Sequence, residues 1–174
     1  MSTTAQRERE ASAAEVPEDK KLVIISSSGD MEQVTAAFIL ATTAAAMGMR
    51  TTMFFTFWGL FPLVKNDVRI TGESWMQKML SFFNRGGTAH LKLGKHNFAG
   101  MGPRMMKKLA ARNKTAMPDE LLQMAIDMGV RLLPCQMTMD MMGLKLEDMV
   151  DGLEPPVGAT TALLEAQGAT TLFI

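Results

Sequence analysis

The residue of this chain best suited to covalent chemistry is Cys135, the single cysteine among 174 residues. It follows the mostly apolar segment VRLLP, residues 130–134, which predicts a buried strand, and it precedes the sequence QMTMDMM, which predicts a helix over residues 136–142. Open α/β folds bind ligands outside the carboxyl ends of their strands, and a helix N-terminus favours the thiolate form of a nearby cysteine. Unpaired cysteine is also a common apolar filler. Position alone therefore leaves a reactive thiol and a packing role open.

A basic stretch precedes this region, with eight Lys or Arg residues and no Asp or Glu between residues 85 and 114. Within it, the sequence GMGPR places two glycines before a predicted helix over residues 103–112, and such a turn can direct backbone N–H groups at an anion. Alternatively, the basic residues form a solvated helix face, or they pair with the acidic groups that lie within residues 119–154. No nucleic-acid partner is expected, because the whole chain has no net charge and no nucleic-acid-binding motif. The predicted anion or substrate site comprises Gly100, Gly102, Arg104 and Lys107.

Eighteen methionines are an unusual number, and four of them follow Cys135 closely: Met137, Met139, Met141 and Met142. Thioether and thiolate ligands suit Cu(I), but methionine is first an adaptable core and interface residue. The sequence has no C-x-x-C, H-x-x-x-H or G-x-S-x-G pattern. We therefore expect no cofactor and no resident metal, and we keep a soft-metal site as the weakest alternative.

The order of elements is a repeated one, in which a helix-like segment is followed by a glycine and then by a strand-like run. Gly48, Gly129 and Gly168 take this place, where glycine supplies the left-handed end of a helix. Helices that alternate with short strands predict a parallel sheet. We expect a three-layer α/β/α sandwich with a mostly parallel sheet of about five strands. The predicted strands cover residues 21–28, 50–57, 89–93, 130–134 and 170–174.

The predicted helices complete this scheme. Asp30 is expected to cap a helix that ends before Gly48, and Pro118 is expected to open another. Further helices are predicted over residues 74–84 and about 158–167. These helices, with the one over residues 103–112, would cover the two faces of the sheet.

The chain is expected to form one domain over residues 20–174, with an extended middle segment at about 58–114 and a disordered tail at residues 1–19. The tail lacks the apolar run of a signal peptide. The apolar sequence MFFTFWGLFPLV, residues 53–64, is shorter than the roughly 20 residues that span a membrane. A chain with one cysteine can form no intrachain disulfide, so a reducing, cytoplasmic setting fits best. A peripheral membrane contact stays an alternative.

Three segments carry a resemblance to a known family. The sequence around Cys135, LLPCQMTMDMMGL, resembles the signature of the DsrE/DsrF-like family of sulfur-relay proteins. The segment KHNFAGMGPRMMKKL, residues 95–109, resembles the Gly-Met-Gly block of its longer, single-cysteine branch. The segment from residue 150 to residue 174 resembles the family's carboxyl terminus. The likeness covers residues 21–174.

The resemblance implies an α/β/α domain that often forms homo-oligomers and carries sulfur as a persulfide on Cys135. A second, resolving cysteine is absent from the sequence, so the sulfur would pass to another molecule or to Cys135 of another subunit. Small sulfur-carrier proteins, rhodanese-like proteins and anionic sulfur compounds such as thiosulfate are the implied partners. The main alternative function is a non-catalytic binding or assembly module with a Met-rich and aromatic protein or membrane interface.

Overall fold

The computed structural model describes residues 20–68, 75, 86–94 and 101–174, without the side chains of residues 101–104, 107 and 111. The tail at residues 1–19 and all but one residue of the helix predicted over residues 74–84 lie outside this part of the chain. The elements, in chain order, are β1 (Lys21–Ser26), α1 (Met31–Ala46), β2 (Arg50–Phe55), a 3-10 helix (Phe57–Leu63), a short 3-10 turn (Thr88–His90), α2 (Met101–Asn113), α3 (Pro118–Asp127), β3 (Arg131–Pro134), α4 (Gln136–Met142), a second short 3-10 turn (Leu146–Asp148), α5 (Ala159–Ala166) and β4 (Thr170–Phe173).

The strands form one parallel sheet in the order β3-β2-β1-β4. The predicted α/β class with a parallel sheet is therefore confirmed, but the described sheet has four strands and the expectation was about five. The strand predicted over residues 89–93 is wrong. The chain turns after Gly87, where His90 donates its backbone N–H to the carbonyl of Gly87, and only Lys92 pairs with Asp30 in an isolated bridge.

Alternating side chains give the sheet two different faces. Aligned residues of β1, β2 and β3, namely Ile24, Met53 and Leu132, belong to the main core. That core also includes buried residues of α1 and α3. The next aligned residues, Ile25, Phe54 and Leu133, lie on the opposite face, where they pack in a smaller cluster with a residue of α5. We call these the core face and the α5 face.

The carboxyl ends of the four parallel strands all lie at one edge of the sheet. The chain that leaves β2 reaches β3 through α3 on the core face, whereas the chain that leaves β3 returns to β4 through α5 on the opposite face. The strand order therefore reverses between β1 and β4, which is the topological switch point of this sheet. Open α/β sheets bind their ligands outside the carboxyl ends of their strands, so this edge, which includes the end of β3, is the first place to search for a site.

The apolar run at residues 53–64 is a strand followed by a 3-10 helix, which contains Gly59 and Pro62. Leu60, Leu63 and Val64 are buried in the main core. In the part of the chain that the structure describes, no helix is long and apolar enough to cross a membrane.

Candidate functional site

Cys135 lies at the carboxyl end of β3, where it forms the N-cap of α4. Its backbone is extended, with φ −77° and ψ 114°. Its N–H donates to the carbonyl of Phe55 at 2.9 Å, and its carbonyl accepts from the N–H of Met139 at 3.0 Å. The first bond continues the sheet and the second begins the helix. The cysteine is thus fixed at the junction that the sequence predicts.

Cys135 is buried, with 6% of the residue exposed. It packs on the α5 face in a small apolar cluster with Phe54, Leu133 and Ala162, with Val157 partly buried against it. We call these residues the Cys135 cluster. Its members are apolar, so the thiol has a dry environment and little direct access from solvent.

A pair of threonine hydroxyls joins the end of β2 to the first turn of α4, the helix that follows Cys135. The Oγ1 atoms of Thr56 and the buried Thr138 are 3.0 Å apart, and the N–H of Phe57 donates to Thr138 Oγ1 at 3.4 Å. Phe57 has φ 47°, a left-handed conformation that is strained for a bulky residue and is found most often at functional sites. Sequence reasoning missed these three residues. Only the position of Thr138 in the first turn after Cys135 could have suggested a role.

The predicted anion site lies mostly beyond what the structure describes. Gly100 lies outside the described residues, and the side chains of Arg104 and Lys107 lie outside them too. The backbone of Gly102 belongs to α2, which begins at Met101 and not at residue 103 as predicted. Proline is tolerated in a first helical turn because the N–H groups there have no partner within the helix, so Pro103 does not mark the start. The anion site stays a prediction.

The methionines after Cys135 divide between core and surface. Met139 and Met142 are buried in the main core, whereas Met137 and Met141 are exposed. The interpretation as core and interface residues fits the buried pair. The described residues contain no group of three His, Cys, Asp or Glu side chains that could hold a metal ion.

A crevice of about 290 Å³ lies beyond the ends of β1 and β2, lined on one side by Trp58 and Phe61 and on the other by residues 28–30 and 90–92. The rings of Trp58 and Phe61 stack with their centroids 5.6 Å apart. Asp30 precedes α1 as predicted, but its side chain makes no capping hydrogen bond. Partial burial, and secondly the charge of Glu32, raise the pKa of Asp30. Cys135 does not line this crevice.

An ion-pair cluster holds the segment that follows Cys135 against β3. Arg131 Nε and Nη2 donate to the two carboxylate oxygens of Glu154 at 2.6 and 2.9 Å, and Nη1 donates to Glu165 Oε1 at 2.6 Å. Arg131 stands on β3, Glu154 lies before α5, and Glu165 lies near the end of α5. The cluster therefore connects the segment before α5 and the last turn of α5 to β3, the strand that leads to Cys135.

This cluster predicts a pH-dependent contribution to stability. The hydrogen bonds from Arg131 hold the pKa of Glu154 below its usual range, against the opposing effect of partial burial. A folded pKa below the unfolded one gives stability that is complete above the unfolded pKa and is lost as pH falls through the folded pKa. We expect Glu154→Gln to lower the free energy of unfolding near neutral pH by about 0.5 to 1 kcal/mol, since the pair is partly exposed and screened. Urea denaturation measures this difference.

The difference between wild type and Glu154→Gln should shrink to near zero as the pH falls from about 5 to about 2. Glu147→Gln is the control, because Glu147 is highly exposed and its contact with Lys145 is 3.6 Å long. That variant should match wild type throughout. A difference for Glu154→Gln that stays constant over the acid range would contradict the assignment.

Comparison with known proteins shows which protein family the chain is similar to. Residues 18–173 match the DsrE/DsrF/DrsH-like family. The chain is 35% identical over 156 residues to the uncharacterized protein YrkE of Bacillus subtilis, a match that covers 89% of this chain and 97% of YrkE. It is 33% identical over 140 residues to the sulfur carrier protein DsrE2 of Allochromatium vinosum, covering 79% of this chain and 87% of that protein.

A solved structure agrees at the level of the fold. A protein of unknown function from Methanobacterium thermoautotrophicum superimposes with a TM-score of 0.51 at 13% identity, covering 90% of this chain and 100% of that one. The parallel sheet with helices on both faces is thus common to both proteins. Since the family match spans nearly the whole described domain and includes Cys135, the chain belongs to the DsrE/DsrF/DrsH-like family.

Proposed function

We propose that this protein is a sulfur carrier that holds sulfur as a persulfide on Cys135 and passes it to the thiol of a partner. The observation that carries the proposal is the position of Cys135 at the carboxyl end of β3, directly before α4, since open α/β sheets bind ligands outside the carboxyl ends of their strands. Its relative DsrE2 is named a sulfur carrier protein. Cys135 is also the single cysteine of the sequence, so no other thiol of this chain can take that role.

Loading consists of one displacement. The Cys135 thiolate attacks the outer sulfur of an anionic donor such as thiosulfate. A sulfur–sulfur bond forms at Cys135, the sulfur–sulfur bond of thiosulfate breaks, and sulfite leaves with the bonding electron pair. The sulfur atom is transferred without an external oxidant or reductant.

Unloading repeats the displacement in the opposite sense. A partner thiolate attacks the terminal sulfur of the Cys135 persulfide, the partner becomes the persulfide, and Cys135 leaves as a thiolate. Because this chain has no second cysteine, the acceptor is another protein or Cys135 of a second subunit. Small sulfur-carrier proteins and rhodanese-like proteins fit the requirement for a thiol partner, and a homo-oligomer would provide the second subunit.

The surroundings of Cys135 suit a stored persulfide. The Cys135 cluster is apolar and excludes the water and dissolved thiols that would remove the terminal sulfur. We place the capture of an anionic donor at Gly100, Gly102, Arg104 and Lys107, because this part of the chain is rich in positive charge and free of acidic residues.

Mass spectrometry of the intact protein tests the proposal. After incubation with thiosulfate, tetrathionate or polysulfide, wild type should gain one or more sulfur atoms, and dithiothreitol should remove them. Cys135→Ala should gain none, because no other cysteine exists in the chain. Circular dichroism of Cys135→Ala should match wild type, which separates loss of the thiol from loss of the fold. A folded wild-type protein that forms no adduct with any of these donors would refute the carrier role.

A second candidate is a non-catalytic binding or assembly module. Two observations favour it: Cys135 is buried in an apolar cluster, and Phe57, Trp58 and Phe173 are large aromatic side chains that are exposed. In that case Cys135 is a packing residue and the aromatic side chains contact a protein or a membrane surface. The adduct experiment separates the two functions, since a packing residue gains no sulfur while the protein stays folded.

A further inference from the structure

We propose that α5 is a movable cover over Cys135, and that the ion pair between Arg131 and Glu165 sets how often the cover opens. The inference rests on the proposed function in one respect, because the event that it regulates is the access of donor and acceptor to the thiol. The thiol of a residue that is 6% exposed cannot meet a partner's sulfur atom unless part of its surroundings moves.

The outer wall of the Cys135 cluster comes from one short segment. Phe54, Leu133 and Ile25 are parts of the sheet, whereas the other members within the described chain are Val157 and Ala162. Ile25 and Phe54 stand on the two central strands, and Leu133 stands on β3, which is paired with β2. These strands cannot move apart without breaking their ladders of hydrogen bonds. Movement of the segment around α5 is therefore the least disruptive way to expose Cys135.

This helix is held by little buried surface. Ala162 is the buried residue of α5, while Leu163 and Leu164 are 65% and 59% exposed. By contrast, α1 buries seven residues, Phe38 among them. A helix with few buried contacts belongs to the least stable part of a fold and opens without global unfolding.

The two ends of α5 are attached differently. Just before the helix, Val157 donates its N–H to the carbonyl of Pro134 at 2.9 Å, and its carbonyl accepts from Gln136 at 3.0 Å. These bonds fix that end beside Cys135, and Gly158 follows as the N-cap. Near the other end, Gly168 has φ 69°. Glycines at both ends let the helix pivot while the strands stay in place.

The Arg131–Glu165 pair restrains the end of α5 that lies far from Val157. Arg131 is held in place by its two hydrogen bonds to Glu154, and it donates its remaining bond to Glu165 at 2.6 Å. Arg131 stands on β3, the same strand that leads to Cys135. The ion pair thus closes α5 onto the strand that carries the reactive residue, and partial exposure of both side chains keeps the restraint weak.

Alkylation of native Cys135 by N-ethylmaleimide, a small neutral reagent, tests the cover. Glu165→Gln removes the charge of the pair and leaves Arg131 bound to Glu154, so we expect alkylation to become about twofold to fivefold faster. Thr160→Ala acts in the opposite direction. Thr160 is exposed and alanine favours the helix, so alkylation should become about twofold slower. Glu147→Gln is the matched control, since its exposed pair with Lys145 lies outside α5, and it should react at the wild-type rate.

Hydrogen exchange gives an independent readout. The amides of residues 161–166 should exchange faster in Glu165→Gln and slower in Thr160→Ala, while those of α1 should not change. Equal alkylation rates in all four proteins would overturn the cover, and so would changes that accompany equal changes in α1, because these would report global unfolding. Neither readout requires sulfur transfer. A protein that takes up sulfur but shows no such changes disproves the cover alone, and a protein that shows the changes without sulfur uptake disproves the carrier function alone.

Discussion

Replacing Gly59 with alanine is expected to lower the free energy of unfolding by about 3 kcal/mol, because the new Cβ collides with backbone. A Cβ at Gly59 would overlap the carbonyl oxygen of Ser26 and lie 2.8 Å from its carbonyl carbon. Neither atom can move freely, since Ser26 ends the central strand β1. The N–H of Gly59 also donates to the carbonyls of Ser27 and Thr56. Urea denaturation at neutral pH measures the loss.

The same change should disturb the candidate site. The 3-10 helix that contains Gly59 begins at Phe57, and Phe57 and Thr56 both contact Thr138 next to Cys135. We therefore expect faster alkylation of Cys135 in Gly59→Ala even under conditions in which the protein is fully folded. For stability, Gly158→Ala is the control, because nothing lies within 4 Å of its Cβ position and its φ of −82° suits alanine. For alkylation, Gly59→Ala is compared with wild type, since Gly158 borders α5. If both variants lost the same stability, the contact with Ser26 would not be the reason that residue 59 is glycine.

Local signals predicted the elements that position Cys135. The apolar run before it and the helical pattern after it gave a strand that ends at Pro134 and a helix over Gln136–Met142, as found. Gly129, between α3 and β3, has φ 73°, which explains why glycine separates that helix from its strand. Such features depend on residues within a few positions of one another, so a single sequence contains them.

The remainder of the site depends on contacts between distant residues, which periodicity does not encode. Thr56 and Thr138 are 82 positions apart, and their contact exists only because β2 and β3 are neighbours. The contact of Arg131 with Glu165 likewise joins residues that are 34 positions apart. Counting the charges of the sequence could not identify Glu165 as the partner of Arg131. The strand predicted over residues 89–93 failed for a related reason, because alternation alone does not supply a neighbouring strand.

Leu132 and Leu133 provide a matched pair of cavity variants on the strand that leads to Cys135. Both side chains are fully buried, but they point to opposite faces of the sheet. Leu132 packs in the main core and Leu133 in the Cys135 cluster. Truncation of either residue to alanine should lower the free energy of unfolding by about 2 to 5 kcal/mol, from lost burial and the cavity that remains. Urea denaturation of both variants measures the two losses.

The reactivity of Cys135 should nevertheless separate the two variants. Leu133→Ala removes a wall of the cysteine's own cluster and loosens its contact with α5, so N-ethylmaleimide should react with Cys135 on the order of tenfold faster than in Leu132→Ala. The comparison is made well below the temperature of unfolding, with the rates corrected for the unfolded fraction of each variant. Equal rates would mean that Cys135 is reached only through global unfolding. A faster reaction in Leu133→Ala would instead locate the route to the thiol on the α5 face. The Cys135 cluster would then open more readily than the main core, although both pack against β3.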